Sequence, residues 1–354
     1  MRPSVLFIGS RHGGDWGMDL VWAGLVRLLG PERVIDWPQR EKHRAGRPTW
    51  DPDDVEGSYG AERRSLCYTG VDVPWHELST VRAMVANGLI GLVVVDERTV
   101  CFEHFVETWC HLARAVPVVV VAGHDRFWNN PEAVVEFYGP QLRGIYTDVL
   151  EATGVASVDR LLRPYRWSMN LDHLWDPAQR RALLTAKTTD VFFAGFASNP
   201  DRRRFIDHIA RRWRHLNLSL FLEEENGRLD RFLPKRQFFE EMARARVCVN
   251  LNGAAVNGKT MRYWEIPYVG SFMASQVAHP SAQPLASVCY FTDEDELDAL
   301  IDRAMRDGLW REQLADVVRD ATSNHSCEAE VRRLLEDALP PSSTMRSSPP
   351  FTEV

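Results

Sequence analysis

The stretch Val247-Cys248-Val249-Asn250-Leu251-Asn252-Gly253-Ala254-Ala255-Val256-Asn257-Gly258-Lys259-Thr260-Met261-Arg262-Tyr263-Trp264-Glu265 decides the fold. Residues 247–251 are an apolar, β-branched run, the pattern of a strand buried on both faces. A loop with two glycines follows and runs into a helix expected to start near Lys259. The N–H groups at such a helix start point outward without intrahelical partners, so an anion can sit there. Glycine lets the backbone come close to that anion. Lys259 and Arg262 add positive charge at the same end. The chain has only four lysines (Lys42, Lys187, Lys235, Lys259), so one placed here is not compositional filler. Glu265 lies six residues beyond Lys259, where its carboxylate can take two ribose hydroxyls. A diphosphate cradle made of Asn257, Gly258, Lys259, Thr260 and Arg262, followed by that carboxylate, describes a nucleoside diphosphate site. The bland alternative is a strand–loop–helix corner with a solvated Lys and Arg.

The same alternation extends in both directions. Residues 190–194 and 218–222 read as strands, with helices over 201–213 and 234–245. Beyond the decisive stretch come strands at 271–274 and 289–291, then a helix capped by Asp293, and further helices over 308–321 and 327–339. The N-terminal part follows suit, with strands at 5–8, 34–36, 91–95, 118–121 and 144–147 and helices over 20–29, 80–86 and 102–115 and from 131. Continuous apolar strands alternating with helices imply parallel sheets covered on both faces. Residues 163–180 break the pattern with Pro164, Asn170, Asp172, Asp176 and Pro177, and read as a connector. The expected fold class is α/β: two tandem Rossmann-like doubly wound domains with an interdomain cleft. Their expected extents are 1–165 and 166–325, followed by a C-terminal helix at 326–339 and a disordered tail at 340–354. Residues 39–65, polar and rich in Arg, Asp, Gly and Pro, read as a surface loop or lid.

Composition narrows the function classes. At 354 residues the chain is long enough for two cores. A net charge of −7 argues against a general nucleic-acid binder. Six scattered cysteines without CxxC spacing suit a reducing compartment. No apolar run approaches bilayer-spanning length, so the expected location is the cytoplasm without stable membrane insertion. No His/Cys cluster has metal-ligand spacing.

Three other constellations stand at the carboxyl ends of expected strands, where doubly wound sheets bind ligands. In the second unit, Gly195 precedes a helix whose first turn is basic; Arg202 is the preferred phosphate contact, and Asp201 offsets part of the unfavourable dipole interaction. In the first unit, Gly9-Ser10-Arg11-His12-Gly13-Gly14-Asp15 does not match GxGxxG, and His12 with Asp15 reads as a general-base pair or as a structural histidine. His124 and Asp125, after the strand at 118–121, face the substrate or make local turn contacts. Asp96 and Glu97 are weaker candidates for the cleft rim.

From residue 190 to about 338 the chain resembles GT-B-fold glycosyltransferases, particularly the spore-maturation-type and exostosin-like groups. The resemblance rests on Gly195 ahead of an Arg-rich helix and on Phe238-Phe239-Glu240-Glu241-Met242-Ala243-Arg244-Ala245-Arg246-Val247. It rests further on Asn257-Gly258-Lys259-Thr260-Met261-Arg262-Tyr263-Trp264-Glu265 through Gly270, on Tyr290-Phe291-Thr292-Asp293, and on the two closing helices. The segment from Arg163 through Trp175 resembles the interdomain connector of this group. The resemblance implies a GT-B architecture in which Glu265 accepts ribose hydroxyls and Lys259 or Arg262 holds the diphosphate. His124 and Asp125 resemble the His-Asp of many retaining members. One departure stands out: family-four glycosyltransferases place a Glu eight positions before the second Glu of their signature, and here that position is Asn257.

The expected activity is metal-independent sugar transfer from a nucleoside diphosphate sugar, a co-substrate and not a cofactor, to a small-molecule or glycan acceptor. An inverting route needs a base, for which His12 and then Asp125 are the choices. The rivals are a nucleotide-sugar epimerase on the same scaffold and an inactive GT-B subunit acting as a binding partner. A dinucleotide-dependent oxidoreductase is disfavoured by the glycine spacing at residues 9–17.

Overall fold

The computed structural model describes residues 4–9, 16–37, 69–96, 116–122, 131–147, 152–165, 168–170, 174–196, 200–223, 235–252, 260, 262–277, 289–307 and 326–339. They form two parallel sheets. The first contains β1 (Ser4–Ile8), β2 (Val34–Asp36), β3 (Ile90–Asp96), β4 (Val118–Ala122), β5 (Leu142–Thr147) and β6 (Leu162–Pro164), in the order β2-β1-β3-β4-β5-β6. Its central strands are continuous apolar runs such as Val118-Val119-Val120-Val121, buried on both faces. One face packs on α1 (Trp16–Leu29) and the other on α2 (Leu78–Ala86) and α3 (Pro131–Tyr138). A short helix, α4 (Ala156–Asp159), precedes β6.

The second sheet contains β7 (Thr189–Phe196), β8 (Leu218–Glu223), β9 (Ala245–Asn250), β10 (Phe272–Gln276) and β11 (Cys289–Phe291), in the order β11-β10-β9-β7-β8. Alternate residues of β7 go to opposite faces, as a strand requires. Phe192 meets α7 (Lys235–Arg244) and α8 (Arg262–Tyr268), whereas Val191 and Phe193 meet α6 (Pro200–Arg212) and α9 (Glu294–Asp307). Helices on both faces of a parallel sheet are the doubly wound arrangement that the alternation implied. Asp293 Oδ1 accepts from Glu296 N at 2.9 Å, the cap expected for α9.

The segment read as a patternless connector carries more structure than expected. Its start joins the first sheet as β6, paired to β5 through Ile145–Leu162 and Thr147–Pro164. Its end opens α5 (Pro177–Thr185) with a capping box, in which Asp176 accepts from Gln179 N at 2.8 Å and Gln179 Oε1 accepts from Asp176 N at 3.1 Å. Between these, Tyr165, Met169, Leu174 and Trp175 are buried and belong to one apolar cluster that runs from the first sheet to the second. The helices expected over 102–115 and 308–321 and the tail 340–354 lie outside the described residues.

The last helix, α10 (Cys327–Ala338), returns to the first unit and packs along α1 and against β5. Gly24 lies in this contact, with no room for a side chain against Cys327 and Val331. Arg27 fastens it from the side, donating to Glu328 Oε1 at 2.9 Å and to Asn170 Oδ1 at 2.5 Å.

At the amino ends of the second sheet, Lys187 is half-buried and donates from Nζ to Ala243 O at 2.6 Å, Gly270 O at 2.7 Å and Ser271 Oγ at 3.2 Å. It ties together the chain just ahead of β7, β9 and β10. Burial pulls its ammonium down to about 8. Burial also pushes the neighbouring Cys248 thiol up to about 12.

Candidate functional site

In the second sheet the strand order turns at the pair β7 and β9: β8 lies on one side, and β10 and β11 on the other. In such sheets the ligand usually sits in the crevice outside the carboxyl ends of the strands at this switch point. The decisive stretch leaves β9 at one of these two ends, and Gly195, expected in a turn, lies near the end of β7 at the other.

Two arginines cross this switch point in opposite directions. Arg202, on the helix that follows β7, donates to carbonyls beyond β9: Nε to Asn252 O at 2.8 Å and Nη2 to Leu251 O at 2.9 Å. Arg262, on the helix that follows β9, donates from Nη2 to Ala194 O of β7 at 3.3 Å. Its guanidinium also stacks on Phe238 of α7, 4.5 Å from the ring centroid. Gly195 makes room for this arrangement, because an added Cβ would stand 3.1 Å from the Phe193 ring and 3.3 Å from Arg202 Nη1. Arg202 thus has an anchoring role that the sequence did not reveal. Arg204, from the same basic turn, leaves the crevice and pairs with Glu294 on α9 at 3.6 Å.

Glu265 is fully buried, and its Oε2 accepts from Arg262 Nη1. The helix expected from Lys259 begins at Arg262, so Glu265 sits in its first turn. There the carboxylate meets the positive end of the helix and the guanidinium one turn back. The open, hydroxyl-accepting carboxylate expected from the sequence is therefore closed over in this structure. Arg262 is the more reachable partner, with its side chain 22% exposed against 0% for Glu265. Among the described residues, Arg202, Arg262 and Glu265 bring two guanidiniums and one carboxylate together beside the strand ends.

Beneath the crevice runs a chain of polar side chains that sequence reading missed. Thr260 Oγ1 donates to Asn250 Oδ1 at 2.9 Å, and Asn250 Nδ2 donates to Ser275 Oγ at 2.9 Å. Ser275 Oγ donates to Tyr263 OH at 2.9 Å, and Tyr263 OH donates to Gln276 O at 3.5 Å. Asn250 and Ser275 are register partners at the ends of β9 and β10. The available signal was a polar residue near the carboxyl end of each strand, Asn250 in β9 and Ser275 in β10.

Gly195, Arg202, Thr260, Arg262 and Glu265 gather at this one edge. Asn257, Gly258 and Lys259 lie outside the described residues, as do His12, His124, Asp125 and Glu97. The strands ahead of His12 and His124, β1 and β4, belong to the first sheet with β3 between them. Asp96, expected on the cleft rim, is fully buried at the end of β3. Among the described residues, no helix is long and apolar enough to cross a membrane.

Residues 197–336 match the family model described as Glycosyl transferase-like. Among solved structures, an alpha-glucosyltransferase in complex with UDP-glucose and DNA containing an abasic site is similar at a TM-score of 0.53 and 8% identity, over 92% of this chain and 96% of that one. The glycotransferase of kitacinnamycin aligns over 96% of this chain and 100% of its own, with 12% identity and a TM-score of 0.47. Sucrose-phosphate synthase from Thermosynechococcus elongatus aligns over 94% and 97%, with 14% identity and a TM-score of 0.46. No curated protein matches the sequence. The protein has the two-sheet α/β fold of GT-B glycosyltransferases, and its second unit carries the glycosyltransferase-like segment.

Proposed function

We propose that the chain transfers a sugar from a nucleoside diphosphate sugar to an acceptor, with the diphosphate held at the β7/β9 crevice. The observation that carries this reading is the reciprocal pair of arginines at the switch point beside the buried carboxylate of Glu265. When the bond from the anomeric carbon to the diphosphate oxygen breaks, negative charge grows on the leaving group. Arg262, with Lys259, meets that charge in a site already organised to receive it, so no metal is required for the task. A diphosphate competes with Glu265 for Arg262, and the released carboxylate then takes the ribose hydroxyls. The closed ion pair is on this reading the unliganded arrangement. The acceptor oxygen attacks the anomeric carbon and gives its proton to His12, or failing that to Asp125. The sugar bond is exchanged without net oxidation, so no redox cofactor enters.

The test is calorimetric titration of the full chain with UDP, GDP, ADP and dTDP, beginning with UDP. At least one should bind, and Glu265→Gln should weaken that binding by about tenfold or more while the circular dichroism stays unchanged. Loss of one organised donor by Arg262→Met should raise the transfer barrier by roughly 3 kcal/mol. If none of the four binds, or if Glu265→Gln binds as tightly as the parent, the reading is wrong.

A further inference from the structure

We propose that Lys187, at the end of the second sheet away from the crevice, is a positioning residue for donor binding: it fastens the carboxyl ends of α7 and α8 to one another, and so fixes where α8 presents Arg262 and Glu265. The proposal rests on the donor-site reading above.

α8 ends on Gly270, at φ 74°: Gly270 N donates to Pro267 O at 3.0 Å and Ser271 N to Ile266 O at 3.1 Å, the paired bonds of a Schellman motif. The last carbonyls of a helix lack partners within it and call for a donor from outside. Lys187 Nζ donates to Gly270 O at 2.7 Å and to Ala243 O, in the last turn of α7, at 2.6 Å. Ser271 Oγ stands between the two helices. It accepts from Lys187 Nζ at 3.2 Å, donates to Met242 O at 2.6 Å and lies 3.1 Å from Ala245 O. One ammonium thus sits at the negative ends of two helices at once, the placement that their dipoles favour. Its three N–H groups serve three acceptors, whereas the neutral amine has only two to give.

α8 cannot hold its position alone. It is seven residues long, and Pro267 within it has no N–H to give. A helix this short draws its stability from what it packs on. Its first residue is Arg262, at the crevice, and its last lies about 10 Å further on at 1.5 Å per residue, beside the Lys187 tie. α7 and α8 meet again at the crevice end, where the Arg262 guanidinium stacks on Phe238. The two helices are therefore fastened to each other at both ends, and a shift at Lys187 is delivered to Arg262 and Glu265. Arg180 donates to Tyr268 O at 3.2 Å, which ties α8 to α5, whereas Lys187 ties it to α7.

The tie depends on charge. Burial pulls the Lys187 ammonium down to about 8, so it is complete below that pH and loses a donor as pH rises through it. Among the described residues, the other titratable and charged side chains on the elements it joins are few. They are Cys248 of β9, Arg246 of β9 with Asp190 of β7, and Arg244 of α7 with Glu240 and Glu241. On α8 they are Arg262 with Glu265, Tyr263 and Tyr268, and on α5 Arg180 and Arg181. Carboxylates, guanidiniums and phenols do not ordinarily titrate between pH 7 and 9, and burial holds the Cys248 thiol up to about 12. In that window Lys187 is the member of this group that changes charge.

The experiment titrates the full chain calorimetrically, at pH 7 and at pH 9, with whichever of UDP, GDP, ADP and dTDP it binds; the phosphates are already ionised across this window. Lys187→Met, Lys187→Arg and Glu265→Gln are titrated beside it. The parent's affinity should fall about threefold from pH 7 to pH 9. Lys187→Met should bind about fivefold more weakly than the parent at pH 7, as a binding-competent arrangement cut to one molecule in five predicts, and equally at both pH values. Lys187→Arg, charged throughout, should show no fall, and it carries the comparison should the methionine variant fail to fold. A lysine that only supports the fold would shift the urea midpoint and leave the pH step in place. A parent with equal affinity at both pH values overturns the proposal, and so does a parent-like step in either Lys187 variant. Parent-like affinity in Lys187→Met, with binding still weakened in Glu265→Gln, overturns the positioning role and leaves the donor site standing. A parent chain that binds none of the four nucleotides removes the donor-site reading, and this proposal falls with it.

Discussion

Replacing Gly24 with alanine should loosen the last helix from the first unit. An added Cβ at position 24 would stand 2.4 Å from the Cys327 carbonyl oxygen, 2.8 Å from its carbonyl carbon and 2.6 Å from Val331 Cγ2. Valine can rotate away, but a main-chain carbonyl cannot move without its helix. Bringing the oxygen contact to 3.0 Å requires α1 and α10 to separate by about 0.6 Å. Overpacking of this kind costs about 1–3 kcal/mol. The same shift stretches the Arg27–Glu328 pair, now 2.9 Å and partly exposed, which is worth at most ~1 kcal/mol. Against this, alanine gains ~1 kcal/mol in helix propensity over glycine. The net expectation is a loss of up to roughly 3 kcal/mol at the α1–α10 contact. Peptide-level hydrogen exchange reads it directly, because each 1.4 kcal/mol lost locally lowers protection about tenfold. Peptides from 327–338 should lose protection, while those from β9 and β10 keep theirs. Adding Val331→Ala should restore only part, since the carbonyl remains. An alanine variant with increased protection in α10 would refute the close-packing argument.

Lys187→Met should remove a pH dependence. The folded Lys187 titrates near 8 because burial disfavours its charge, against 10.5 for the free group. Between these values the unfolded chain binds more protons, so the parent gains stability as pH rises through the window. Cys248, held up to about 12, opposes this above its ordinary value of 9; the comparison therefore belongs at pH 8 to 9. There the parent should gain about 1 kcal/mol in urea unfolding relative to Lys187→Met, and equal slopes would contradict the assignment. Arg202→Met should leave the Leu251 and Asn252 carbonyls without their donor and cost about 1–3 kcal/mol. Arg204→Ala, at an exposed position 3.6 Å from Glu294, should change stability by less than about 0.5 kcal/mol. The two arginines behaving alike in denaturant titration would refute the separate roles given to them.

Most of the strands were legible because a parallel sheet covered on both faces leaves unbroken apolar runs, and Val118-Val119-Val120-Val121 has no other plausible use. The short edge strand β6 was not, since three residues ending at Pro164 carry no period, and only pairing with β5 defines them. The start of α5 was written in Asp176, Pro177 and Gln179, a cap, a first-turn proline and a box partner. Those same residues also mark turns, and the turn reading prevailed. At the site, Arg262 and Glu265 were both singled out, and their three-residue spacing already allowed them to pair. That they do pair depends on burial, which one sequence does not display. The bonds from Arg202 to carbonyls 49 and 50 residues away follow from the strand order and from nothing local. The polar chain under the crevice was hidden for the same reason: Asn250 and Ser275 become neighbours only once β9 and β10 are aligned.

The return of α10 to the first unit bears on how the protein is made. Its partners on β5 and α1 leave the ribosome about 180 and about 300 residues before α10 begins, so that apolar flank stays bare through much of synthesis. Translation order therefore exposes the early half to aggregation until residue 338 has emerged. A fragment stopping short of residue 327 should be sticky even with its first sheet intact.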